Sequence, residues 1–326
     1  MTTHNAIAGM HFHSVSYTGL KPGPRVIITG AVHGNETCGT KAIHRVINQL
    51  DQHLLHIESG SITFVPITNP LAYARGQRMG DRNLNRNLYP TDSPVDFEDH
   101  VANWLCPLLG QHDVLLDLHS FHTQGQPFVM VGPDNNQGAL EPFAHATEEK
   151  ALARHLGVRR FVDGWLDTYA KGVARRVRDA HKSTMSNLLN TDARYGVGTT
   201  EYMRSVGGYG LTLECGQHND PNAPEVGYRA ILNTLSFLKM IDAPIPTPIS
   251  NGESLHLCDV IDKIDDNDRF SREWASYDRL SAGDVIGTRH GGASITASYD
   301  GFIVFPNPNA VTGQEWFYLA KANPTL

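Results

Sequence analysis

Short apolar runs rich in β-branched residues alternate with segments of helical spacing along the first 245 residues. Runs that end at glycine or at a polar residue predict buried strands. These strands lie at Arg25–Gly30, Ser61–Pro66, Asp113–Leu118, Pro127–Val131 and Gly210–Glu214. Apolar residues that recur every three or four positions predict helices. The helices lie at Thr40–Leu50, Phe97–Leu109, Glu148–His155, Lys171–Asp179 and Arg229–Ile241. Strands that alternate with helices are typical of a parallel sheet.

The pattern changes at residue 243. Residues 243–250 (APIPTPIS) include three prolines, a composition typical of a linker. Beyond them come short runs separated by turn residues, without helical spacing. We therefore predict an α/β fold, with a mixed, mostly parallel sheet flanked by helices in residues 1–245. A small C-terminal all-β domain, a barrel or a sandwich, is predicted for residues 246–326.

Length, charge and cysteine content narrow the class of protein. A chain of 326 residues is long enough for about two domains and for a core that needs no disulfide or metal to fold. The net charge of −7 argues against a general nucleic-acid binder, which needs a basic face. The four cysteines form no CxxC pair and are expected to be reduced thiols. No apolar run reaches about 18 residues and the start lacks a secretion-signal pattern, so we expect a cytoplasmic protein without a membrane span.

The first candidate for chemistry follows directly after the strand Arg25–Gly30. His33 and Glu36 lie three residues apart in a loop, and both can turn onto one ion. An imidazole nitrogen and a carboxylate oxygen suit zinc, and the carboxyl ends of parallel strands are where open α/β sheets place their sites. Taken alone, the pair is equally compatible with a surface loop whose glutamate caps a helix.

A second histidine, His119, follows the strand Asp113–Leu118. A lone histidine there is more often a satisfied residue at the edge of the core. Combined with His33 and Glu36, it gives two imidazoles and one carboxylate, the composition of a catalytic zinc site with an open fourth position. We expect Asp117 to point to the other face of the strand, where it could support the metal ligands or pair with a charge on a helix; a structural role is favoured.

Further charged residues lie at one strand end and in one loop. Glu214 finishes a buried strand, and an ionisable group there needs either a partner or a task. It could act as a general acid and base, or it could be part of a salt bridge. The long irregular segment of residues 69–94 carries Arg78 and Arg86, whose guanidinium groups suit carboxylates. The alternative for this segment is a solvated basic loop.

Four motifs, in this order along the chain, resemble the aspartoacylase and succinylglutamate desuccinylase family, a branch of the zinc carboxypeptidase superfamily. They are GAVHGNE, NP-x-A…R-x-x-D…LNR, LLDLHS and LECG, between residues 30 and 216. The resemblance implies one Zn²⁺ per chain, held by His33, Glu36 and His119. It implies that Glu214 is the general acid and base.

The resemblance also implies roles in substrate binding. Arg78 would polarise the scissile carbonyl and steady the oxyanion. Asn85 and Arg86 would grip the substrate carboxylate, and Arg204 would make a further contact with an anionic substrate. The chain departs from the family at Asn83, where an acid is common, so one negative charge near the pocket is missing.

The sequence therefore predicts zinc-dependent deacylation of a small N-acyl amino acid or a similar anionic compound; ester hydrolysis is also compatible. A metallocarboxypeptidase that acts on peptides is one alternative, and a non-catalytic metal-binding protein is an alternative of another class. The expected partner is a small anionic substrate, with no nucleic acid and no membrane, and a homo-oligomer is compatible. Tyr299 and His122 are candidates to line the pocket.

Overall fold

The computed structural model describes residues 10–179 and 190–323. The segment in which we looked for a secretion signal lies mostly outside the described residues, because residues 1–9 are not among them. No helix in the described ranges is long and apolar enough to cross a membrane.

The described residues form fourteen strands and seven α-helices. The strands are β1 (Val15–Thr18), β2 (Lys21–Gly30), β3 (Ser59–Val65), β4 (Val114–Phe121), β5 (Phe128–Met130), β6 (Arg160–Asp163), β7 (Tyr209–Gln217), β8 (Glu253–Asp262), β9 (Arg269–Phe270), β10 (Arg279–Leu280), β11 (Val285–Thr288), β12 (Ser294–Thr296), β13 (Gly301–Val304) and β14 (Glu315–Ala322). The helices are α1 (Cys38–Asp51), α2 (Pro70–Arg75), α3 (Phe97–Leu109), α4 (Ala146–His155), α5 (Trp165–Asp179), α6 (Thr199–Ser205) and α7 (Ala223–Phe237).

One sheet of eleven strands organises the molecule, in the order β1-β3-β2-β4-β7-β5-β6-β8-β14-β13-β10. At its centre β3, β2, β4 and β7 are parallel, whereas β5 runs antiparallel to β7. Helices α1, α4 and α7 bury one face of this sheet, and α3 and α6 pack on the other. The predicted mixed, mostly parallel sheet flanked by helices is therefore confirmed.

All ten predicted elements are present, but several boundaries differ. Helix α5 begins six residues before the predicted start, at Trp165. Helix α7 ends at Phe237 rather than at Ile241, because Lys239 has a left-handed backbone with φ of 57°. Four elements were not predicted, namely β1, β6, α2 and α6, each of which is seven residues long or shorter. Such short segments carry too few periods to stand out from a loop.

The C-terminal segment is all β among its described residues. Strand β8 pairs in parallel with β6, so the central sheet continues into β14, β13 and β10. A separate three-stranded sheet has the order β12-β11-β9. The domain boundary at residue 245 stays a prediction, and the hydrogen bonds between β6 and β8 join the two sides of it.

Candidate active site

The predicted metal ligands and the predicted base come from three adjacent parallel strands. The loop after β2 carries His33 and Glu36, and β4 and β7 place His119 opposite Glu214 in register. The carboxyl ends of these strands meet at one edge of the sheet, which is where such folds bind ligands. An added Cβ at Gly34 would lie 2.0 Å from the backbone of α2, so only glycine lets the loop pass there.

His33, Glu36 and His119 form a compact buried group. Each offers one ligand atom, and these atoms lie within 4.8 Å of one another. Nδ1 of His33 is 2.8 Å from Oε1 of Glu36, and Nδ1 of His119 is 2.9 Å from Oε2. The three side chains are at most 3% exposed. The structure thus brings the three predicted ligands together.

The two histidines turn the same nitrogen inward and the other outward. Nε2 of His33 lies 3.0 Å from Oδ1 of Asn83, and Nε2 of His119 lies 2.8 Å from Oδ2 of Asp117. Nδ1 of His33 is buried, and apart from its approach to Oε1 of Glu36 it has no hydrogen-bond partner among the described residues. Two inward nitrogens and a carboxylate, with the outer nitrogens held by oxygens, fit the ligand set and the outer contacts of a zinc site.

The charges in this group perturb one another. Burial lowers the pKa of His33 to about 4, helped by the nearby charge of Arg78. Burial acts to raise the pKa of Glu36, but the two histidines outweigh it and hold that pKa well below its usual value. Burial likewise acts against the charged form of His119, but Asp117 and Glu36 raise its pKa well above the usual range. A metal that binds at Nδ1 of His119 would compete with a proton for that nitrogen, because metal ligation needs the neutral imidazole.

Glu214 faces the same group without a partner of its own. Its side chain is buried, and Oε2 makes no hydrogen bond among the described residues. Burial raises its pKa to about 8, and the negative charge of Glu36 adds to that effect. A carboxyl group of this kind takes and returns protons near neutral pH, as a general base and acid must.

Arg78 reaches the group of predicted ligands from the loop that follows α2. Its guanidinium donates a hydrogen bond of 3.0 Å to Oε1 of Glu36, and its side chain is about half exposed. Arg78 therefore stands at the mouth of the site, with one side on a predicted ligand and the other open to solvent.

A cavity of about 1130 Å³ opens beside these residues. That volume is large enough for a small organic molecule with room to spare. His33, Arg78, His119 and Glu214 line it at one end. The C-terminal segment supplies part of the wall, with Phe305, Asn307, Glu315 and Tyr318.

Asn85 and Arg86 also line the cavity, but they differ in how they are held. Oδ1 of Asn85 accepts a hydrogen bond of 2.9 Å from the backbone N–H of Thr199. The guanidinium of Arg86 lies 4.6 Å from the ring centre of Trp165 and donates to the carbonyl of Asn85. The guanidinium of Arg86 makes no other hydrogen bond within the described part of the chain. Arg86 thus keeps donors available for a ligand.

Arg204 occupies a different environment at the far end of the cavity. Its guanidinium contacts three carboxylates, at 2.9 Å from Glu149, 2.7 Å from Glu141 and 3.5 Å from Glu201. It also donates to the carbonyl of Gly210. These neighbours already use the guanidinium as an ion-pair partner. Its predicted contact with substrate stays a prediction.

Two residues of the site had been misjudged or missed. We expected Asp117 on the opposite face from His119, but residues two apart on a strand share a face, and Asp117 binds His119 directly. The cavity tyrosine from the C-terminal segment is Tyr318, whose hydroxyl is buried and unpartnered among the described residues. Tyr299 instead lies against Lys321, 3.9 Å from ring centre to Nζ. His122 does line the cavity, with Nε2 3.1 Å from the carbonyl of Pro306.

Sequence comparisons point to one family. A probable aspartoacylase of Prochlorococcus marinus is 32% identical over 114 residues, which are 33% of this chain and 37% of that protein. The N-alpha-acetyl-L-2,4-diaminobutyric acid deacetylase of Halomonas elongata is 32% identical over 102 residues, 30% of this chain and 29% of that protein. These matches span about a third of the length of the curated relatives.

A comparison of folds agrees with the sequence matches. The crystal structure of succinylglutamatedesuccinylase/aspartoacylase from Rhodobacter sphaeroides superposes with a TM-score of 0.71 at 17% identity. The superposition covers 99% of this chain and 93% of the Rhodobacter sphaeroides chain. The resemblance predicted from the four motifs is confirmed, because residues 22–148 match the succinylglutamate desuccinylase/aspartoacylase catalytic domain and the chain has the corresponding fold.

Proposed function

We propose that the protein is a zinc-dependent amidohydrolase that removes the acyl group from a small N-acyl amino acid or a similar anionic compound. The observation that supports it best is the unpartnered carboxyl group of Glu214 beside His33, Glu36 and His119. A metal site with a purely structural role needs neither an open position nor such a base. The diaminobutyric acid deacetylase and the probable aspartoacylase are named for reactions of this kind.

One zinc ion per chain would be held by His33, Glu36 and His119. Zinc in such a site supplies a Lewis acid that polarises a carbonyl and makes water a better nucleophile. Among the described residues, this is the only group of three histidine, cysteine or acidic side chains with ligand atoms in reach of one ion.

The chain's own residues would carry the proton and hold the substrate. Glu214 removes a proton from the attacking water and returns it to the leaving nitrogen. Arg78 stabilises the negative charge that develops on the carbonyl oxygen. Asn85 and Arg86 bind the carboxylate, which holds the amide bond in place for attack.

The C-terminal wall of the cavity favours a small substrate over a peptide. Phe305, Asn307, Glu315 and Tyr318 line the cavity, whereas a carboxypeptidase would need an open groove for the rest of the peptide chain. For the same reason, an extended acyl group would have to fit inside about 1130 Å³.

The test combines metal analysis with a substrate panel. We expect about one zinc per chain in the wild type, and loss of that zinc in His33→Ala and His119→Ala. The zinc-loaded protein should hydrolyse one or more N-acetyl, N-succinyl or N-formyl amino acids, and Glu214→Gln should not, which excludes a contaminating hydrolase.

Each other outcome identifies an alternative. Release of C-terminal residues from short peptides, without turnover of the N-acyl amino acids, would make the protein a carboxypeptidase. Stoichiometric zinc with no hydrolysis of any amide or ester would make it a metal-binding protein without catalysis. Full metal retention in both histidine variants would contradict the assigned ligands.

A further inference from the structure

The first metal-facing histidine is tied to the loop that carries the carboxylate-binding residues. Oδ1 of Asn83 lies 3.0 Å from Nε2 of His33 and accepts a hydrogen bond of 2.9 Å from the backbone N–H of Asn85. Because a backbone N–H only donates, the side-chain atom of Asn83 at this point is the oxygen. The same oxygen requires His33 to donate from Nε2, which leaves its Nδ1 without a proton.

The second metal-facing histidine is tied to the same loop from the other side. Oδ1 of Asn85 accepts a hydrogen bond of 2.9 Å from the backbone N–H of Thr199. The hydroxyl of Thr199 donates to Oδ2 of Asp117, which also accepts from Nε2 of His119 at 2.8 Å. A continuous path of hydrogen bonds therefore runs from His33 to His119. We call its four middle residues the outer bridge: Asn83, Asn85, Thr199 and Asp117.

The backbone packs tightly around the outer bridge. An added Cβ at Gly198 would lie 2.0 Å from Oδ1 of Asn85, so glycine there is what allows the side chain to reach Thr199. The remaining oxygen of Asp117 accepts a hydrogen bond of 2.6 Å from the hydroxyl of Thr29 on β2. Thr199 and Asp117 are both fully buried. The bridge is therefore held in one arrangement from both ends.

We propose that the outer bridge couples zinc binding to the loop of residues 83–86, with Asn83 and Thr199 as positioning residues. This rests on the proposed function, since it takes His33 and His119 as zinc ligands and Asn85 and Arg86 as the carboxylate grip. A cation on Nδ1 polarises the imidazole and strengthens the bond donated from Nε2. Both ends of the bridge tighten together when zinc binds. By linkage, a carboxylate held by the loop strengthens zinc binding by the same factor.

The test uses zinc alone as the probe. Amide hydrogen exchange of peptides covering residues 83–86 and 198–200 is measured without and with zinc, and the zinc dissociation constant is measured by competition with a chelator. In the wild type, zinc should slow exchange of these peptides by roughly five-fold or more. In Thr199→Val, zinc affinity should fall by roughly ten-fold and the protection of residues 198–200 should be lost.

A matched control separates the bridge from simple loss of a buried hydroxyl. Thr168 is equally buried, and its hydroxyl donates to the carbonyl of Leu257, outside the bridge. Thr168→Val should keep both the wild-type zinc affinity and the protection by zinc. Asn83→Asp retains the acceptor oxygen and should keep the coupling, whereas Asn83→Leu should abolish it.

Gly198→Ala provides a second, independent break, because it displaces the side chain of Asn85 without touching any zinc ligand. Zinc should still bind to it but should no longer protect residues 83–86. If zinc binds to the wild type without slowing exchange in either peptide, or if Thr199→Val behaves like Thr168→Val, the coupling is overturned while the proposed function stands. If the wild type binds no zinc, both fail.

Discussion

An arginine and a glutamate lie at each end of the cavity, but the two pairs differ in how many hydrogen bonds they already make. At the end lined by His33 and His119, Oε2 of Glu214 makes no hydrogen bond to the described residues, and the guanidinium of Arg86 makes one, to a backbone carbonyl. At the far end, Arg204 and Glu149 are bound to each other through two hydrogen bonds. Glu214 and Arg86 therefore have hydrogen-bonding groups available for a bound ligand. Arg204 and Glu149 use theirs to stabilise the folded protein.

At the far end, backbone groups also take part in the hydrogen bonds of the ion-pair cluster. The two oxygens of Glu149 also accept hydrogen bonds from the backbone N–H groups of Gly132, at 2.6 Å, and Gly210, at 3.0 Å. An added Cβ at Gly132 would lie 2.4 Å from Nε of Arg204, so the loop passes directly over the guanidinium. The charge of the side chain and a place in the cavity lining alone would not have separated Arg204 from Arg86. The number of partners already in place does.

The largest effect expected from this contrast is on catalysis. Glu214→Gln keeps the shape of the side chain and removes the base, so kcat should fall by about 10²–10⁴-fold. Stability at pH 7 should not decrease, because the carboxyl group has no ion-pair partner to lose. Steady-state kinetics and urea unfolding of the same preparation check both statements. A kcat near that of the wild type would assign the base to another residue.

Next in size is the stability of the far end. Arg204→Met leaves the carboxylates of Glu149, Glu141 and Glu201 without their cation and should lower the free energy of unfolding by about 3–5 kcal/mol. Arg86→Met is the matched control and should change stability far less, since it removes no buried ion pair. Urea unfolding of both variants gives the difference. Equal destabilisation by the two would remove the distinction between the two ends.

The carboxylate grip predicts a smaller effect on binding. Arg86→Lys keeps the charge and loses the planar two-point contact, so binding of the best acid substrate should weaken by about 1.5–3 kcal/mol. The amide of the same substrate lacks the carboxylate, and its binding should hardly respond to the substitution. The measurement is KM or an inhibition constant for the acid and for the amide, each with the wild type and with the variant. Equal weakening for both compounds would show that Arg86 does not bind the carboxylate.

The smallest expected effect is on the pH dependence of stability and concerns Glu141, which forms an ion pair with Arg204 at the far end. Burial raises its pKa from 4.5 to about 7, against the opposing charge of Arg204. A raised carboxyl pKa means that the folded state holds the proton more tightly, so stability is lost as the pH rises from about 4.5 to about 7. Glu141→Gln cannot ionise, and it should be more stable than the wild type by about 1–3 kcal/mol at pH 8.

At pH 5 that difference should nearly vanish, because the wild-type carboxyl is then mostly protonated. Thermal or urea unfolding of both proteins at pH 5 and pH 8 checks the dependence. A variant that is less stable than the wild type at pH 8 would show that the ion pair with Arg204 outweighs the burial of Glu141.

The parts of the fold and site that could be predicted are those encoded locally. The runs that became β2, β4 and β7 are mostly apolar, so the polar residues that end or follow them, His33, Glu36, His119 and Glu214, could be named as candidates from their position. Their roles were implied by the resemblance of the four motifs and stay predictions. Short elements such as α6 could not, because seven residues show no clear period.

Partners could not be predicted where they come from distant parts of the chain. Tyr318 reaches the cavity only because β14 joins the central sheet through β8, and nothing in its own neighbourhood marks it. Whether an arginine is saturated depends likewise on residues far away, since Glu149 lies 55 residues from Arg204. Sequence motifs identify which side chains carry the chemistry. Tertiary contacts decide whether those side chains already have hydrogen-bond partners within the protein.

The register between β2, β4 and β7 also sets the order of events during folding. Glu36 and His119 are 83 residues apart, and they meet only after β2 and β4, which are not consecutive in the chain, have paired. Pairing across such separations is slow, because the entropy of closing the loop is lost before the contact forms. An unfolded or nascent chain therefore offers a metal only the local pair of His33 and Glu36. If His33, Glu36 and His119 hold zinc as proposed, the complete site forms only at the end of folding, and added zinc should slow unfolding more than it speeds folding.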